Sequence, residues 1–216
     1  MNTHLSKTRY ILSFFILFTL VSCSKKLINE KWLTEQAPEY FTAKFETTQG
    51  NFEIEAKREW SPLAVDRLYQ LLKNDFYQDI AIYRVVPNFV AQFGIHNNKA
   101  VNDFWNKHKV DDEPVIENND EMTISFARGG VKSRGTQLFI NLKNNRRLDA
   151  LDYGGVKGFP VIAKVISGKE TVEKFYDKYG EKPGRKQDSI HRYGNDFLKR
   201  KYPKIDYIIK AYLTKK

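Results

Sequence analysis

The sequence YRVVPNFVAQFG, residues 83–94, holds a cation, a large aromatic ring and an amide within nine positions. These residues are Arg84, Phe89 and Gln92. Pro87 has no backbone N–H to give to a strand pairing, so it marks a sheet edge, a bulge or the end of a strand. The stretch fits two interpretations: an ordinary barrel wall, or a pocket for a ligand that is partly apolar and partly peptide-like.

Alternating apolar residues predict short strands on both sides of this stretch. They alternate over 41–45 and again over 52–56, and the sequence TQGN between them supplies Gly50 for a hairpin turn. Further strands are predicted within 121–130, 136–142, 159–167 and 205–213.

Two main helices are predicted. The first spans 61–75, where Ser61 is a good N-cap and Pro62 suits the first helical position. The second spans 168–180, with Gly180 as its C-terminal cap. The apolar stripe of the first helix consists of Val65, Leu68, Tyr69 and Leu72.

The remaining segments are more polar. Residues 95–120 are turn-rich and are interpreted as one long loop, and residues 178–186 as another. Residues 190–202 predict a short helix that Pro203 ends. Many short strands at hairpin spacing with two main helices predict a mainly β fold, a closed antiparallel barrel capped by helices.

The composition is that of a globular protein, with 41% hydrophobic and 14% aromatic residues. The formal net charge of +10 would suit an anionic partner such as nucleic acid. However, the chain has no compact arginine-rich run with stacking aromatics. We therefore expect scattered lysines that keep the protein soluble, and no nucleic-acid partner.

The N-terminal residues resemble a targeting segment. Lys7 and Arg9 precede the uncharged run 10–21, which is too short to span a bilayer and fits a secretory signal. The sequence LVSC that follows resembles a bacterial lipobox, which predicts a lipoprotein signal peptide at 1–22 and lipidation at Cys23. Residues 23–38 would be a lipidated tether that anchors the protein in the cell envelope, periplasm-facing or at the outer membrane. The alternatives are an uncleaved signal anchor or an incidental cysteine.

Several kinds of chemistry have no signature in this chain. Cys23 is its only cysteine, so the mature domain has neither a thiol nucleophile nor a disulfide. The histidines after it are scattered, and the chain has no H-E-x-x-H, G-x-S-x-G or phosphate-binding glycine loop. The sequence DDE at 111–113 could bind a cation, but a solvated loop is favoured. We expect neither a metal nor a cofactor.

Six blocks of sequence together resemble one family. They are FETTQGNFEIE, SPLAVDRLYQLLKNDFYQD, YRVVPNFVAQFG, MTISFARGG, GTQLFINL and LDYGGVKGFPVIAKVISGKETVEKFY. In this order they resemble the cyclophilins, the peptidyl-prolyl cis-trans isomerases. The resemblance implies an eight-stranded closed barrel capped by two helices, here an isomerase domain at 39–178. Residues 179–216 would be a C-terminal extension that packs on the barrel, as in some bacterial envelope cyclophilins.

The resemblance also assigns roles to individual residues. Arg84 matches the catalytic arginine, Phe89 a wall of the proline pocket, and Gln92 a contact to the substrate backbone. Ala127 and Arg128 fall where the family holds an extended peptide through its main chain. The other positions that the resemblance assigns to substrate binding are Val86, Val90, Gln137, Phe139, Arg147, Leu148 and Phe159.

Three positions depart from the usual family pattern. Tyr83 replaces a histidine before the arginine, Arg147 replaces a tryptophan, and Phe159 replaces a histidine beside the pocket. The loss of the tryptophan puts cyclosporin sensitivity in doubt. Phe159 makes the pocket more apolar, which could change the residue preferred before proline.

The resemblance implies a prolyl isomerase that acts on proline-containing exported proteins. Such an enzyme needs no nucleophile, metal or cofactor, since it only stabilises the twisted X–Pro amide. An alternative is a non-catalytic cyclophilin-like module that binds proline-containing segments. A third is a basic structural protein at a membrane or polyanion. We expect a monomer that meets the membrane through its N-terminal lipid.

Overall fold

The computed structural model describes residues 28–215. The predicted signal peptide at 1–22 and the predicted lipidation site Cys23 lie outside these residues. Within the described part of the chain, no helix is both long enough and apolar enough to cross a membrane.

Nine antiparallel strands form one curled sheet, and two more form a separate hairpin. The sheet order is β3-β11-β1-β2-β10-β6-β7-β5-β4, and β8 pairs with β9. The strands are β1 (Tyr40–Thr47), β2 (Gly50–Lys57), β3 (Ile80–Ala81), β4 (Arg84–Val86), β5 (Val90–Phe93), β6 (Thr123–Phe126), β7 (Leu138–Asn141), β8 (Asp152–Tyr153), β9 (Val156–Lys157), β10 (Val161–Ser167) and β11 (Tyr207–Lys215).

The prediction of a mainly β fold is confirmed, but the closed barrel of eight strands is wrong. The sheet has nine strands and stays open between β3 and β4, which are not paired with each other. The reason lies in the chain between them. Ile82 donates its N–H to the backbone oxygen of Asp206, which extends the contact to β11, whereas Arg84 already pairs with Gln92 on β5. One extended stretch is thus divided into two short strands with different partners.

Alternation places the core on one face of the sheet. Phe41, Ala43 and Phe45 of β1 are fully buried, as the sequence predicts. The rings of Phe45 and Phe52 stack across the β1–β2 hairpin at 4.8 Å. Gly50 has φ 125° at the turn, which few residues other than glycine adopt, so the predicted hairpin is confirmed.

The helices differ from the predictions more than the strands do. The described residues contain α1 (Pro62–Lys73), α2 (Lys99–Lys107), α3 (Arg147–Ala150), α4 (Lys169–Glu173) and α5 (Gln187–Lys201). Helix α1 confirms the first predicted helix. Helix α4 ends well before Gly180, so the predicted cap is wrong. Helix α2 interrupts the predicted loop at 95–120, because Asn98 caps it and Phe104 and Trp105 on it are buried.

The C-terminal residues are part of the fold. Helix α5 ends before Pro203, as predicted, and β11 lies between β1 and β3 in the main sheet. Residues after 178 therefore supply one strand of the same sheet as the rest of the described chain. A second hydrophobic cluster holds this region against the main sheet, and it consists of Ala81, Tyr83, Ile95, Ile190, Leu198 and Ile205.

Helix α5 contains one kink, at Gly194. Its backbone there has φ 56° and ψ −147°, a conformation that is nearly restricted to glycine. A β-carbon at this position would lie 2.2 Å from Oδ1 of Asn97. That same oxygen accepts a hydrogen bond from the N–H of Asn195 at 2.8 Å.

The described part of the predicted tether, residues 28–38, lies against α1 and α2. Trp32 stacks on Trp105 with ring centroids 6.4 Å apart. Ala37 is buried, and its N–H donates to Oδ1 of Asp66 at 2.9 Å. These residues add to the main core and do not stand free of the domain.

Candidate active site

Strands β4, β5 and β7 have side chains packed on both of their faces. The site lies on the face that points away from the main core. Val85, Ala91, Phe93, Leu138 and Ile140 point into the main core. The alternate positions point to the other face, since successive side chains of a strand lie on opposite sides. That outer face carries a separate small hydrophobic cluster of Val90, Phe139, Leu148 and Phe159, with Phe89 and Ala127 packed beside it.

The register of the sheet aligns three predicted site residues in one row. Arg84 on β4 faces Gln92 on β5, and Gln92 faces Phe139 on β7. Directly opposed residues of antiparallel strands share a face of the sheet. The row therefore runs from a cation through an amide to an aromatic ring.

The apolar part of the site is a groove of about 390 Å³. The rings of Phe139 and Phe159 meet edge to face at 5.8 Å. Of the predicted residues, those that line the groove are Arg84, Phe89, Val90, Gln92, Ala127, Arg128, Phe139, Leu148 and Phe159. The groove is thus walled by aliphatic and aromatic side chains, with Arg84 and Gln92 at its polar edge.

Buried asparagines fix the wall on which Phe89 and Leu148 lie. Asn145 donates from Nδ2 to the backbone oxygen of Phe89 at 2.8 Å and to Oδ1 of Asn141 at 2.8 Å. Its own backbone oxygen accepts the N–H of Leu148 at 2.7 Å. Since both asparagines are nearly inaccessible to solvent, these hydrogen bonds hold the pocket backbone in one arrangement.

Arg84 has partners on two sides. Its Nη1 donates to Oε1 of Gln92 at 3.0 Å. Its Nε and Nη2 donate to the two carboxylate oxygens of Glu181 at 2.8 Å and 2.7 Å. The guanidinium carbon lies 5.4 Å from the centroid of Phe89. The hydrogen bonds from Arg84 lower the pKa of Glu181 below its ordinary value.

A chain of hydrogen bonds continues from Arg84 into the sheet. Gln92 donates from Nε2 to Oε1 of Gln137 at 3.1 Å, and the Tyr83 hydroxyl donates to the same oxygen at 2.5 Å. Burial raises the pKa of Tyr83, so its hydroxyl remains a donor. Gln137 therefore orients Gln92 through its carbonyl and does not line the groove.

Arg128 has a structural role that the sequence did not predict. Its guanidinium lies over the ring of Phe159 at 4.3 Å and donates to backbone oxygens of Tyr153, Val156 and Gly158. Burial lowers its pKa. These contacts attach the β8–β9 hairpin to the groove, and Tyr153 thereby becomes one of its lining residues.

Two other predicted residues lie beside the groove. Arg147 is exposed and places its guanidinium 4.9 Å from the centroid of Phe89, on the aromatic ring that Arg84 also contacts. Val86 is half-buried at the end of β4. Neither residue lines the groove within the described part of the chain.

Sequence reasoning missed the contribution of residues 181–187. Glu181, Gly184, Arg185 and Gln187 all line the groove. A β-carbon on Gly184 would lie 3.0 Å from Cδ of Arg84, so a glycine lets this segment lie directly on the arginine side chain. The turn signals in YGEKPGRK were visible, but no local pattern shows that a carboxylate 97 positions away meets Arg84.

Among residues 28–215, no group of three or more His, Cys, Asp or Glu side chains could hold a metal ion. The DDE sequence instead supplies Glu113 to an ion pair with Arg134 at 3.0 Å, and the side chains of these two residues are 9% and 1% exposed. The predicted solvated loop is therefore wrong for Glu113.

Comparison with known proteins gives the family of this curled antiparallel sheet and its groove. Residues 42–195 match the model of the cyclophilin-type peptidyl-prolyl cis-trans isomerases. This match covers more than half of the chain. The chain therefore belongs to the cyclophilin-type peptidyl-prolyl cis-trans isomerase family.

Similar proteins are also named peptidyl-prolyl cis-trans isomerases. A peptidyl-prolyl cis-trans isomerase of Acinetobacter baylyi is 30% identical over 135 residues, which cover 59% of this chain and 68% of that protein. The isomerase cypE of Dictyostelium discoideum is 28% identical over 153 residues, which cover 68% of this chain and 94% of that protein.

Solved structures share the fold. A cyclophilin-type isomerase of Cryptosporidium parvum has a TM-score of 0.58 at 17% identity, with 81% of this chain and 98% of that chain covered. A second structure of that protein, with a TM-score of 0.56, was determined in the presence of the dipeptide Ala-Pro.

Proposed function

We propose that this chain isomerises X–Pro bonds of exported proteins in the groove described above, with Arg84 as the catalytic residue. The observation that carries this proposal is the placement of the Arg84 guanidinium at the polar edge of an apolar pocket of about 390 Å³. A proline ring fits an aromatic and aliphatic pocket, and its amide needs a donor beside it. The Ala-Pro dipeptide used with the Cryptosporidium protein supports the same ligand class.

The proposed mechanism follows from the chemistry of the X–Pro amide. Amide resonance raises a barrier of roughly 18–20 kcal/mol to rotation. In the twisted state the nitrogen becomes pyramidal and gains a lone pair. An N–H of Arg84 aimed at this lone pair binds the twisted state better than either planar state, which lowers the barrier.

The neighbouring residues supply the fixed frame for this rotation. Phe89, Phe139, Leu148 and Phe159 would hold the proline ring. Gln92, oriented by Gln137, would bind the peptide on the other side of the bond. Arg147 over Phe89 would meet the substrate outside the pocket, and the main chain at Ala127 and Arg128 would hold an extended peptide. Val86 and Val90 complete the proposed apolar surroundings.

The first test is turnover. Full-length protein in detergent, mixed with a short Ala-Pro peptide, is expected to shorten cis–trans exchange from roughly 10–100 s to about 1 s or less at micromolar enzyme. NMR exchange spectroscopy measures this rate directly. Binding of the peptide without any acceleration would reject the proposal in favour of a module that only binds proline-containing segments.

We propose further that the protein is a lipoprotein of the cell envelope, anchored through Cys23. The uncharged run at 10–21 and the sequence LVSC support this proposal. The acyl chains of a processed lipoprotein are enough for stable anchoring, whereas a single chain is not.

The anchor is tested by labelling bacterial cells with a radioactive fatty acid. The parent protein is expected to carry the label and to begin at Cys23 by mass spectrometry. Cys23→Ser is expected to lose the label, whereas the matched variant Ser24→Ala keeps it. An unlabelled parent protein would overturn the anchor while leaving the isomerase proposal intact.

A further inference from the structure

The carboxylate of Glu181 is the one acidic group that lines the groove, and it binds Arg84 in a bidentate ion pair within the described structure. The pair is partly enclosed, since the side chains of Arg84 and Glu181 are 19% and 43% exposed. Two-point contact between a guanidinium and a carboxylate fixes orientation as well as distance. The pair therefore determines the plane in which the guanidinium of Arg84 lies.

The guanidinium keeps donors for a substrate while Glu181 is bound. An arginine side chain has five N–H bonds. Glu181 takes one from Nε and one from Nη2, and Gln92 takes one from Nη1. One N–H on each Nη atom remains. The contact thus holds the guanidinium without using all of its donors.

The segment that carries Glu181 is anchored firmly. Ile190 is buried in the second hydrophobic cluster, and Tyr179 packs against the same cluster. Between them, Glu181 accepts the N–H of Arg185 at 3.1 Å through its backbone oxygen. Gly184 lies directly against the side chain of Arg84. The hydrophobic cluster thus holds this segment at both of its ends, and Gly184 contacts Arg84 between them.

We propose that Glu181 is a positioning residue for prolyl isomerisation, which fixes the guanidinium plane of Arg84 so that its remaining N–H bonds reach the twisted amide. This inference rests on the proposed function. Without the carboxylate, Arg84 would keep the hydrogen bond to Gln92 and the contact with the Phe89 ring, and neither of these fixes the plane of the guanidinium. Catalysis depends on a donor held in advance at the place where the lone pair develops.

The test compares Glu181→Gln with Asp188→Asn in the full-length protein. Asp188 is exposed at the start of α5, so its variant removes the same charge from the same extension away from the groove. Glu181→Gln is expected to lower kcat for an Ala-Pro peptide about tenfold and to change KM less than about twofold. Asp188→Asn is expected to match the parent protein.

A second readout follows Arg84 itself. In the parent, the Nε–H of Arg84 is expected to give a resolved NMR signal that exchanges slowly with water, because it donates to a carboxylate. In Glu181→Gln this signal is expected to broaden and exchange faster, while the melting temperature stays within about 3 °C because partly exposed ion pairs add little stability. If Glu181→Gln only destabilised the fold, kcat/KM per folded molecule would equal that of the parent protein.

The outcomes separate this inference from the proposed function. A parent with turnover and a Glu181→Gln variant of equal kcat would overturn the positioning role alone. A variant with higher kcat would also overturn it, and would identify Glu181 as a restraint that holds Arg84 away from the peptide. A parent without turnover would overturn the proposed function itself.

Discussion

Arg84→Ala is expected to lower kcat/KM for an Ala-Pro peptide by about 10²–10³-fold, the usual cost of removing a donor that stabilises a transition state. The fold should survive, because the remaining partners are not buried charges. Glu181 keeps a side chain that is 43% exposed, and Gln92 keeps its bond to Gln137. The measurement is peptide exchange by NMR, with the melting temperature taken on the same sample.

The matched control is Arg146→Ala. Arg146 forms a bidentate pair with Asp120, but its side chain is 64% exposed and lies outside the groove. Arg146→Ala also removes one positive charge. Because exposed ion pairs contribute little energy, this variant should leave kcat/KM within about twofold of the parent value. If Arg84→Ala retained the activity of the parent, the pocket alone would be responsible for the acceleration and the role of Arg84 would be rejected.

The largest expected effect on stability is that of Glu113→Ala. Glu113 accepts the N–H groups of Leu63 and Ala64 at 2.8 Å and 3.1 Å and thereby caps α1. It also pairs with Arg134, whose side chain is 1% exposed. Removing one partner of a buried pair costs about 3–5 kcal/mol, because the other charge stays buried. For a chain of this size we expect a fall in melting temperature of roughly 10 °C.

Thermal unfolding followed by circular dichroism measures this effect, with Asp103→Ala as the control. Asp103 pairs with Lys99 on the surface of α2, and the two side chains are 50% and 62% exposed. Its loss should change stability by less than about 1 kcal/mol. Equal melting temperatures for the two variants would show that Glu113 is not the cap of α1 in solution.

Local patterns predicted the strands and the apolar part of the site. The alternation in β1, β2 and β11 depends on neighbouring residues only, and Pro87 correctly marked the end of β4. The predicted residues Arg84, Gln92 and Phe139 come together because they occupy alternate positions on paired strands. This alternation of side chains along a strand can be read from the sequence alone.

The residues that sequence reasoning missed act across long distances along the chain. Ser61 looked like the N-cap of α1, but its hydroxyl donates to Glu113, and Glu113 supplies the cap from 52 positions away. Glu181 likewise reaches Arg84 from the C-terminal region. An isolated acidic residue in a polar loop carries no signal of its partner, so only the packed chain reveals these contacts.

The pairing of β1 with β11 has a consequence for how the protein is made. Ala43 pairs with Leu213, so β1 cannot complete its pairing until nearly the last residues of the described chain have been synthesised. Synthesis adds roughly 5–20 residues per second. The edge of β1 that pairs with β11 stays unpaired until β11 has been synthesised. Contacts of such high sequence separation also slow folding after synthesis. During synthesis the nascent chain is therefore an incomplete sheet with an open edge that other chains could join.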